Sequence, residues 1–286
     1  MDEPQPTQVP PPMHLRIADH IRMQIERGDL RPGDSLPTLG DLCEQWGCSM
    51  SSARGAIALL RTQGLISGGR GKAPMVRLAP KKAIRSSDRH QLEKDLAVRP
   101  ERDRRSIGEA ETNLGMSLDD QDFTARYDLI EAGPELAAIF GIDPATQVQR
   151  RRFTATARGS GHLLSNSTAY IPLEIVAPNP ALLDDRNEPW PGGTQHQFFT
   201  LGVEIMLVVD EVTARMPTTV EAQQWNLPDG VPLLLCRRIS SDAQHRVIEV
   251  SDAEYPADRT ELRFTTPLKP WPKQRTPRPG GTRAKP

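Results

Sequence analysis

The 286-residue sequence predicts an α+β protein in two units. Three observations carry that reading. Residues 36–78 run in the order helix, turn, helix, glycine-punctuated basic ribbon. Beyond residue 123, strand-like runs alternate with short helix-like ones, the pattern of an antiparallel sheet with helices set against it. Between the two lies a charged stretch poor in large apolar residues. With 37% hydrophobic residues the chain can fill two modest cores, while 27 prolines and 5% aromatic residues assign much of it to loop, linker or tail.

Residues 1–12, MDEPQPTQVPPP, read as a disordered leader, too acidic and proline-rich to be a signal peptide. The first helix shows helical spacing of Ile17, Ala18, Ile21 and Ile25 and ends near Gly28; Arg31, Pro32, Gly33 and Asp34 then form a turn. The second helix starts at Pro37 and Thr38, with Thr38 as N-cap, Asp41 at the capping-box position, and Leu39, Leu42 and Trp46 on its apolar side. The third helix, 49–63, has Ser49 as N-cap. Its inner stripe is Ala53, Ala56, Ile57 and Leu60, which leaves Met50, Ser51, Ser52, Arg54 and Gly55 facing outward near its start. The ribbon, with Gly68, Gly69, Arg70, Gly71 and Lys72 at its tip, completes a winged helix-turn-helix domain over residues 13–78.

Residues 79–122 are expected to be a charged linker containing a short helix, with 107–118 leading into the next unit. The second domain, 123–268, is expected to have helices at 135–140, 179–185, 195–201 and 220–225. Strands are expected at 148–157, 162–171, 205–215, 231–240 and 246–255. The tail, 269–286, is basic, proline-rich and disordered by composition.

The net charge of −1 conceals an asymmetry. No acid occurs between Glu44 and Asp88, while Arg54, Arg61, Arg70, Lys72, Arg77, Lys81, Lys82 and Arg85 do; six further basic residues and no acid lie from Pro267 onward. Outside these runs 22 basic residues face 37 acidic ones, so positive charge is concentrated on the helix-turn-helix half and the tail, which points to double-stranded DNA. Arg54 lies one turn into the third helix with no acid within a turn or two; it suits a bidentate contact to guanine or a phosphate clamp. Ser49, Ser51 and Ser52, with the free N–H groups of the helix start, form a phosphate seat, and Thr38 and Met50 are also expected among the DNA-binding residues. Arg70, Gly71 and Lys72 let the wing approach the backbone closely with positive charge.

Other chemistries are excluded by what the chain lacks. Cys43, Cys48 and Cys236 have neither zinc spacing nor disulfide pairing, so neither metal nor cofactor is expected and the thiols read as reduced ones of a cytoplasmic protein. The six histidines have no Ser or Cys partner in a recognisable catalytic motif, so no enzyme is expected. No apolar run approaches the about 20 residues that span a membrane.

The first domain resembles the GntR family of bacterial transcriptional regulators. The resemblance rests on Ile25, Gly28, Leu30, Pro32, Gly33, Leu36 and Pro37, followed by Leu42, Ser49, Arg54, Ala56, Leu60, Gly64, Leu65 and Ile66. It departs at two positions where the family carries DNA-contacting arginines, here Gly40 and Met50, so base readout is expected to lean on Arg54 and the wing. Residues 122–268 resemble the UTRA domain of the HutC-like branch, in its actinobacterial type. That match rests on Tyr127, Gly141, Arg150 to Arg152, Ser167 to Pro172, the 220–225 helix, Glu249 to Ser251, Tyr255, Asp258 and Arg259. It implies a chorismate-lyase-like antiparallel sheet with helices, dimerisation, and one pocket for a small, often anionic, effector.

Carried over by position, Arg150, Arg152, Thr168, Tyr170, Glu249 and Tyr255 are the expected effector contacts. Taken as residues alone, Arg150 and Arg152 equally suit a solvated strand face. Tyr170 equally suits the core with its hydroxyl satisfied, and Glu249 an ion pair with either arginine. The expectation is a homodimeric repressor released by its effector; the alternative is an effector-independent repressor whose second domain only dimerises.

Overall fold

The computed structural model describes residues 10–68, 73–78, 80, 82–104 and 121–269. The first 9 residues, the wing tip at 69–72, the segment 105–120 and the tail from 270 fall outside the described residues.

The head packs three helices, α1 (Met13–Arg27), α2 (Leu39–Trp46) and α3 (Met50–Thr62). The local signals act where expected. Thr38 Oγ1 accepts the Asp41 N–H at 3.2 Å while Asp41 Oδ2 accepts the Thr38 N–H at 2.9 Å, a reciprocal cap that starts α2. Gly47 takes φ 55°, which reverses the chain after α2 and lets its N–H reach the Cys43 carbonyl. Ser49 Oγ then accepts the Ser52 N–H at 3.2 Å and starts α3. The inner stripe of α3 packs with Ile17, Ala18, Ile21, Leu36 and Leu42 into one core, closed by Ile66 and Val76 of the wing. Those two residues are paired across β1 (Ile66–Ser67) and β2 (Met75–Val76), antiparallel strands whose connecting tip is outside the described residues.

The linker expectation is corrected. Residues 83–86 form β3 (Ala83–Ser86), which pairs in parallel with β10 (Thr260–Arg263) at the far end of the chain. The expected short helix is α4 (Arg89–Ala97), but it packs on α7 (Gly193–Thr200) rather than standing free. Lys94 Nζ donates to the Ile205 carbonyl at 2.8 Å. A long-range partner 177 residues away, Ala83 to Thr260, is what converts this polar stretch into structure.

The second domain is one antiparallel sheet in the order β4-β5-β6-β9-β8-β7. Its strands are β4 (Gln121–Glu131), β5 (Gln147–Ala157), β6 (Leu163–Pro172), β7 (Leu207–Arg215), β8 (Leu233–Ser241) and β9 (Val247–Pro256). The helices between them are α5 (Gly133–Phe140), α6 (Leu173–Val176), α7, and α8 (Thr219–Gln224). Strands β4 and β10 and helix α6 were not among the expected elements, and 179–185 folds as two short 3-10 turns, Pro180–Leu183 and Asp185–Asn187.

Residues directly opposite across a ladder share a side, so the registers sort the sheet into two faces. Arg152, Thr168, Asp252, Arg237 and Glu211 form one continuous row. Arg151, Ala169, Ser251, Arg238 and Asp210 form the row behind it. The first face carries α5 at one end, through Leu136 and Phe140 on Val148 and Val250, and α8 with Trp225 at the other, on Leu163 and Leu233. The second face is covered by α4 and α7.

Head and second domain meet along a seam. Arg77, just after β2, forms an ion pair with Asp258, the two side chains 15% and 11% exposed. The close of α3 lies against the loop before β8: Gly230 has φ +72°, and a Cβ there would overlap Thr62 O and Gly64 N. Only glycine fits this position on both counts.

Candidate nucleic-acid interface and sheet cleft

On the head, α3 presents a free N-terminal edge. Met50 is 44% exposed, Ser51 and Arg54 are exposed, and Arg54 makes no hydrogen bond or ion pair among the described residues. An unpaired guanidinium on the open side of a helix of this size is free for a base edge or phosphate. The hydroxyls divide their work. Ser49 is committed to the Ser52 N–H and shares a 3.1 Å contact with the Ser52 hydroxyl, and Thr38 is committed to Asp41. An incoming phosphate therefore meets the unpaired backbone N–H groups of the first turn more readily than either hydroxyl. Gly40, on α2, is exposed like Met50, so both positions where the resemblance expects arginine point outward without charge. Arg70, Gly71 and Lys72 lie outside the described residues.

In the second domain the six expected effector contacts do not converge. Arg150 and Tyr170 are opposite each other, as are Arg152 and Thr168, so these four share the first face. Glu249 and Tyr255 occupy the alternate positions of β9 and point to the second face. The alternation inferred for Arg150 and Arg152 holds; the joining of both pairs with Glu249 and Tyr255 into one pocket does not. Both arginines of the expected anion clamp face a carboxylate of the protein itself. Arg150 donates to both carboxylate oxygens of Asp128 at 2.9 and 2.5 Å, and Arg152 reaches the same carboxylate at 3.5 Å. The Arg150 hydrogen bonds hold the Asp128 carboxyl below its ordinary range. An anion could use these arginines only by displacing Asp128.

Between α5 and α8 the first face opens into a cleft of about 490 Å³, bordered by Thr168, Tyr170, Glu211, Arg237, Asp252 and Glu254. Its arginine is occupied too: Arg237 is bidentate to Asp252 at 2.7 and 3.0 Å and reaches Glu135 at 2.7 Å. Glu254 takes Arg215 at 2.5 Å and the Asn166 amide at 3.0 Å. Arg215 also grips Glu221 of α8, holding that carboxyl at about 2. Burial pushes the Tyr170 phenol up, and Asp252 adds to the effect.

The second face is a filled polar interior. Arg151 is 2% exposed. It donates to Gln149 at 2.8 Å, to the Leu182 carbonyl at 3.1 Å and to Gln197, and stacks over Tyr127 at 4.8 Å. Tyr127 donates to Glu188, and its burial carries the phenol far above the usual range. Glu249 is 6% exposed and, among the described residues, its carboxyl has only Ser240 Oγ at 3.5 Å; burial pushes its acid up against the pull of Arg151 and Arg238. Tyr255 lies under the Arg85 guanidinium at 4.1 Å. Arg151, Tyr127 and Gln197 were not singled out from the sequence. In the run Arg150 to Arg152 the odd position is the buried one, a distinction that depends on which face α7 covers. Among the described residues no group of His, Cys, Asp or Glu is arranged to hold a metal, and the three cysteines are free. No described helix is long and apolar enough to cross a membrane.

Known proteins match this arrangement domain by domain. The family model described as "Bacterial regulatory proteins, gntR family" matches residues 14–76, and that of the UTRA domain matches residues 124–261. An uncharacterised HTH-type transcriptional regulator of Rhizobium meliloti is 24% identical over 252 residues, 88% of this chain and 93% of its own. The HTH-type transcriptional repressor NagR of Bacillus subtilis is 23% identical over 254 residues, with the same two coverages, 88% and 93%. Among solved structures, a GntR-family transcriptional regulator superposes with a TM-score of 0.64 at 24% identity, covering 90% of this chain and 98% of its own. A capped recognition helix with a wing, followed by a UTRA sheet, defines a DNA-binding transcriptional regulator and not an enzyme. The two models together match most of the chain, which belongs to the GntR family, with a UTRA domain as its second half.

Proposed function

We propose that this regulator is a homodimeric, sequence-specific repressor acting in the cytoplasm. Two heads would read half-sites of a pseudo-palindromic operator about one helical turn apart and block transcription. The observation that carries the reading is Arg54, exposed and unpaired on the outward edge of α3. Repression is supported by NagR and by the mannosyl-D-glycerate system repressor MngR of Escherichia coli, which is 39% identical over 66 residues, 23% of this chain and 28% of its own. Because Gly40 and Met50 offer no bidentate donor, base discrimination falls on Arg54 and the wing residues Arg70 and Lys72, and the operator differs from that of relatives with arginines there. Each missing bidentate contact removes about 1–3 kcal/mol of discrimination.

In the HutC-like reading, a small effector occupies the cleft that includes Thr168 and Tyr170 and alters the spacing of the heads. An uncharged or cationic polar ligand suits that cleft better than an anion, since the arginines along it already hold carboxylates. A footprint on the protein's own promoter region tests the DNA reading. Arg54→Ala is expected to abolish the protected site while non-specific retention persists at low salt, and an unchanged footprint refutes it. Repeating the wild-type gel shift with a panel of small polar metabolites separates effector release from the effector-independent alternative.

A further inference from the structure

Two of the three cysteines stand on either side of the turn that joins α2 to α3. Helix α2 ends on Gly47, held at φ 55°, and the Cys48 N–H donates back to the Cys43 carbonyl at 3.1 Å. A helix that stops on a left-handed glycine, with an N–H reaching back five residues, brings together the side chains at the two ends of that hydrogen bond. Apolar side chains commonly meet there; here both are thiols. Cys48 Sγ is turned back onto α2, 3.7 Å from the Leu42 carbonyl oxygen, which belongs to the peptide unit of the Cys43 nitrogen. Both side chains lie half-buried at the edge of the head core, within reach of small solutes. Burial pushes the Cys43 thiol up, the adjoining Cys48 thiol adds to the effect, and Arg54 of α3 pulls it back. The third cysteine, Cys236, is buried in β8 of the second domain.

We infer that Cys43 and Cys48 are a reversible dithiol–disulfide pair, closed by a hydroperoxide, whose state sets the pose of the first turn of α3. The inference rests on the reading of α3 as the DNA-contacting helix, and on neither dimerisation nor an effector. In a reducing cytoplasm the pair stands as two thiols and closes only under oxidant. The chemistry balances. One thiolate attacks an oxygen of hydrogen peroxide, the O–O bond breaks, the departing hydroxide takes up a proton as water, and a sulfenic acid forms. The second sulfur attacks the first, the S–O bond breaks, the S–S bond forms and a second water leaves. The two thiols give up two protons and two electrons, and the peroxide is reduced to two waters. A reducing thiol reverses the step by exchange. A disulfide holds its sulfurs about 2.05 Å apart and its Cβ atoms at about 3.8 Å. Thiols in non-bonded contact must draw together to reach that geometry. Cys43 is fixed inside α2, so the movement falls on Gly47 and Cys48. Cys48 is bonded to Ser49, the N-cap of α3, and Met50, Ser51 and Arg54 follow on the outward edge. Ala53, Ala56, Ile57 and Leu60 keep the body of α3 in the core, which confines the disturbance to its start.

Mass spectrometry and DNA retention of the full-length protein test this together. The protein is treated with hydrogen peroxide, then alkylated under denaturing conditions and weighed; retention of a fragment carrying its own promoter is measured before and after oxidation. Oxidised wild type is expected to take up one alkyl group where the reduced protein takes three, one for each cysteine. The proteolytic peptide that holds both Cys43 and Cys48 is expected to be lighter by two hydrogen atoms. Retention is expected to weaken about tenfold, the size of one lost base contact, and to return with dithiothreitol. Cys43→Ala and Cys48→Ala are expected to bind as the reduced wild type does and to keep that affinity in peroxide. Wild type that still takes three alkyl groups after peroxide, or that stops at a sulfenic or sulfinic acid, overturns the pair. A disulfide-closed protein that binds unchanged, or a loss of binding shared by both variants, overturns its control of α3. Reduced wild type that retains no fragment overturns the DNA reading of the head, and the mass still decides the pair.

Discussion

Asp258 is the pivot of the contact between head and second domain, and its removal should cost more than the removal of the residue it holds. Its carboxylate serves two guanidiniums: Arg77 from the head, and its neighbour Arg259, which donates Nε and Nη2 at 2.9 and 3.1 Å. Arg259 is 8% exposed and Arg77 little more, so neither charge is well screened. In Asp258→Asn both guanidiniums stay buried without a counter-charge, the situation in which breaking a buried pair costs about 3–5 kcal/mol. In Arg77→Met the carboxylate keeps its bidentate partner, and the loss is that of one charge-assisted hydrogen bond, about 1.5–3 kcal/mol. Residual exposure of the pair places both values toward the low ends, about 3 and about 1.5 kcal/mol, a difference of roughly tenfold in the unfolding equilibrium. Urea unfolding followed by far-ultraviolet circular dichroism measures this, with limited proteolysis between residues 78 and 83 reporting release of the head in both variants. Arg77→Met as costly as Asp258→Asn refutes the argument, because it would mean that Arg259 does not share the carboxylate.

Two further outcomes follow from the same geometry. Gly230→Ala combines a left-handed φ of +72° with a Cβ that overlaps Thr62 O and Gly64 N. It is expected to pull the head off the seam, seen as a larger radius of gyration in solution scattering, while the isolated second-domain transition moves by only the about 1–2 kcal/mol of local backbone strain; an unchanged radius contradicts the seam. Glu249 has its acid raised by burial, so its contribution to stability is fully present below the ordinary carboxylate range and is lost as pH rises toward its raised folded value. Glu249→Gln is accordingly expected to be more stable than the wild type by a larger margin at pH 8 than at pH 4, measured as urea midpoints, and parallel pH profiles contradict the burial argument.

The head was legible because its signals are local. Thr38 with Asp41, Gly47 and Ser49 act within four residues of where they stand, and the stripe Ala53, Ala56, Ile57, Leu60 declares its own inner face. Arg54 was found outward by subtraction from that stripe. The second domain was legible as an alternation of strands and helices but not as a site. Its β5 carries three consecutive arginines, and helical or strand period alone cannot say which of them turns to α7 and which to open solvent. Assigning Glu249 and Tyr255 to the pocket of Arg150 and Thr168 required the register of β9 against β6, set by residues some 80 positions apart. The strand at 83–86 was unreadable for the same reason, since its partner is at the other end of the chain.

The sequence by itself determined the family, the helix-turn-helix and its caps, the inner and outer sides of α3, and the absence of arginine at Gly40 and Met50. Short-range hydrogen bonds and a 3.6-residue period decide these without reference to the rest of the molecule. Only the tertiary structure decided that Arg150 and Arg152 are already neutralised by Asp128, and that the linker is pinned by β3 to β10. It also decided that Arg77 is held by Asp258 and that, among the described residues, β7 is a sheet edge and Glu211 has no ion-pair partner. Each depends on which segments distant along the chain become neighbours across a sheet, and a sheet's strand order is chosen by the balance of burial on its two faces.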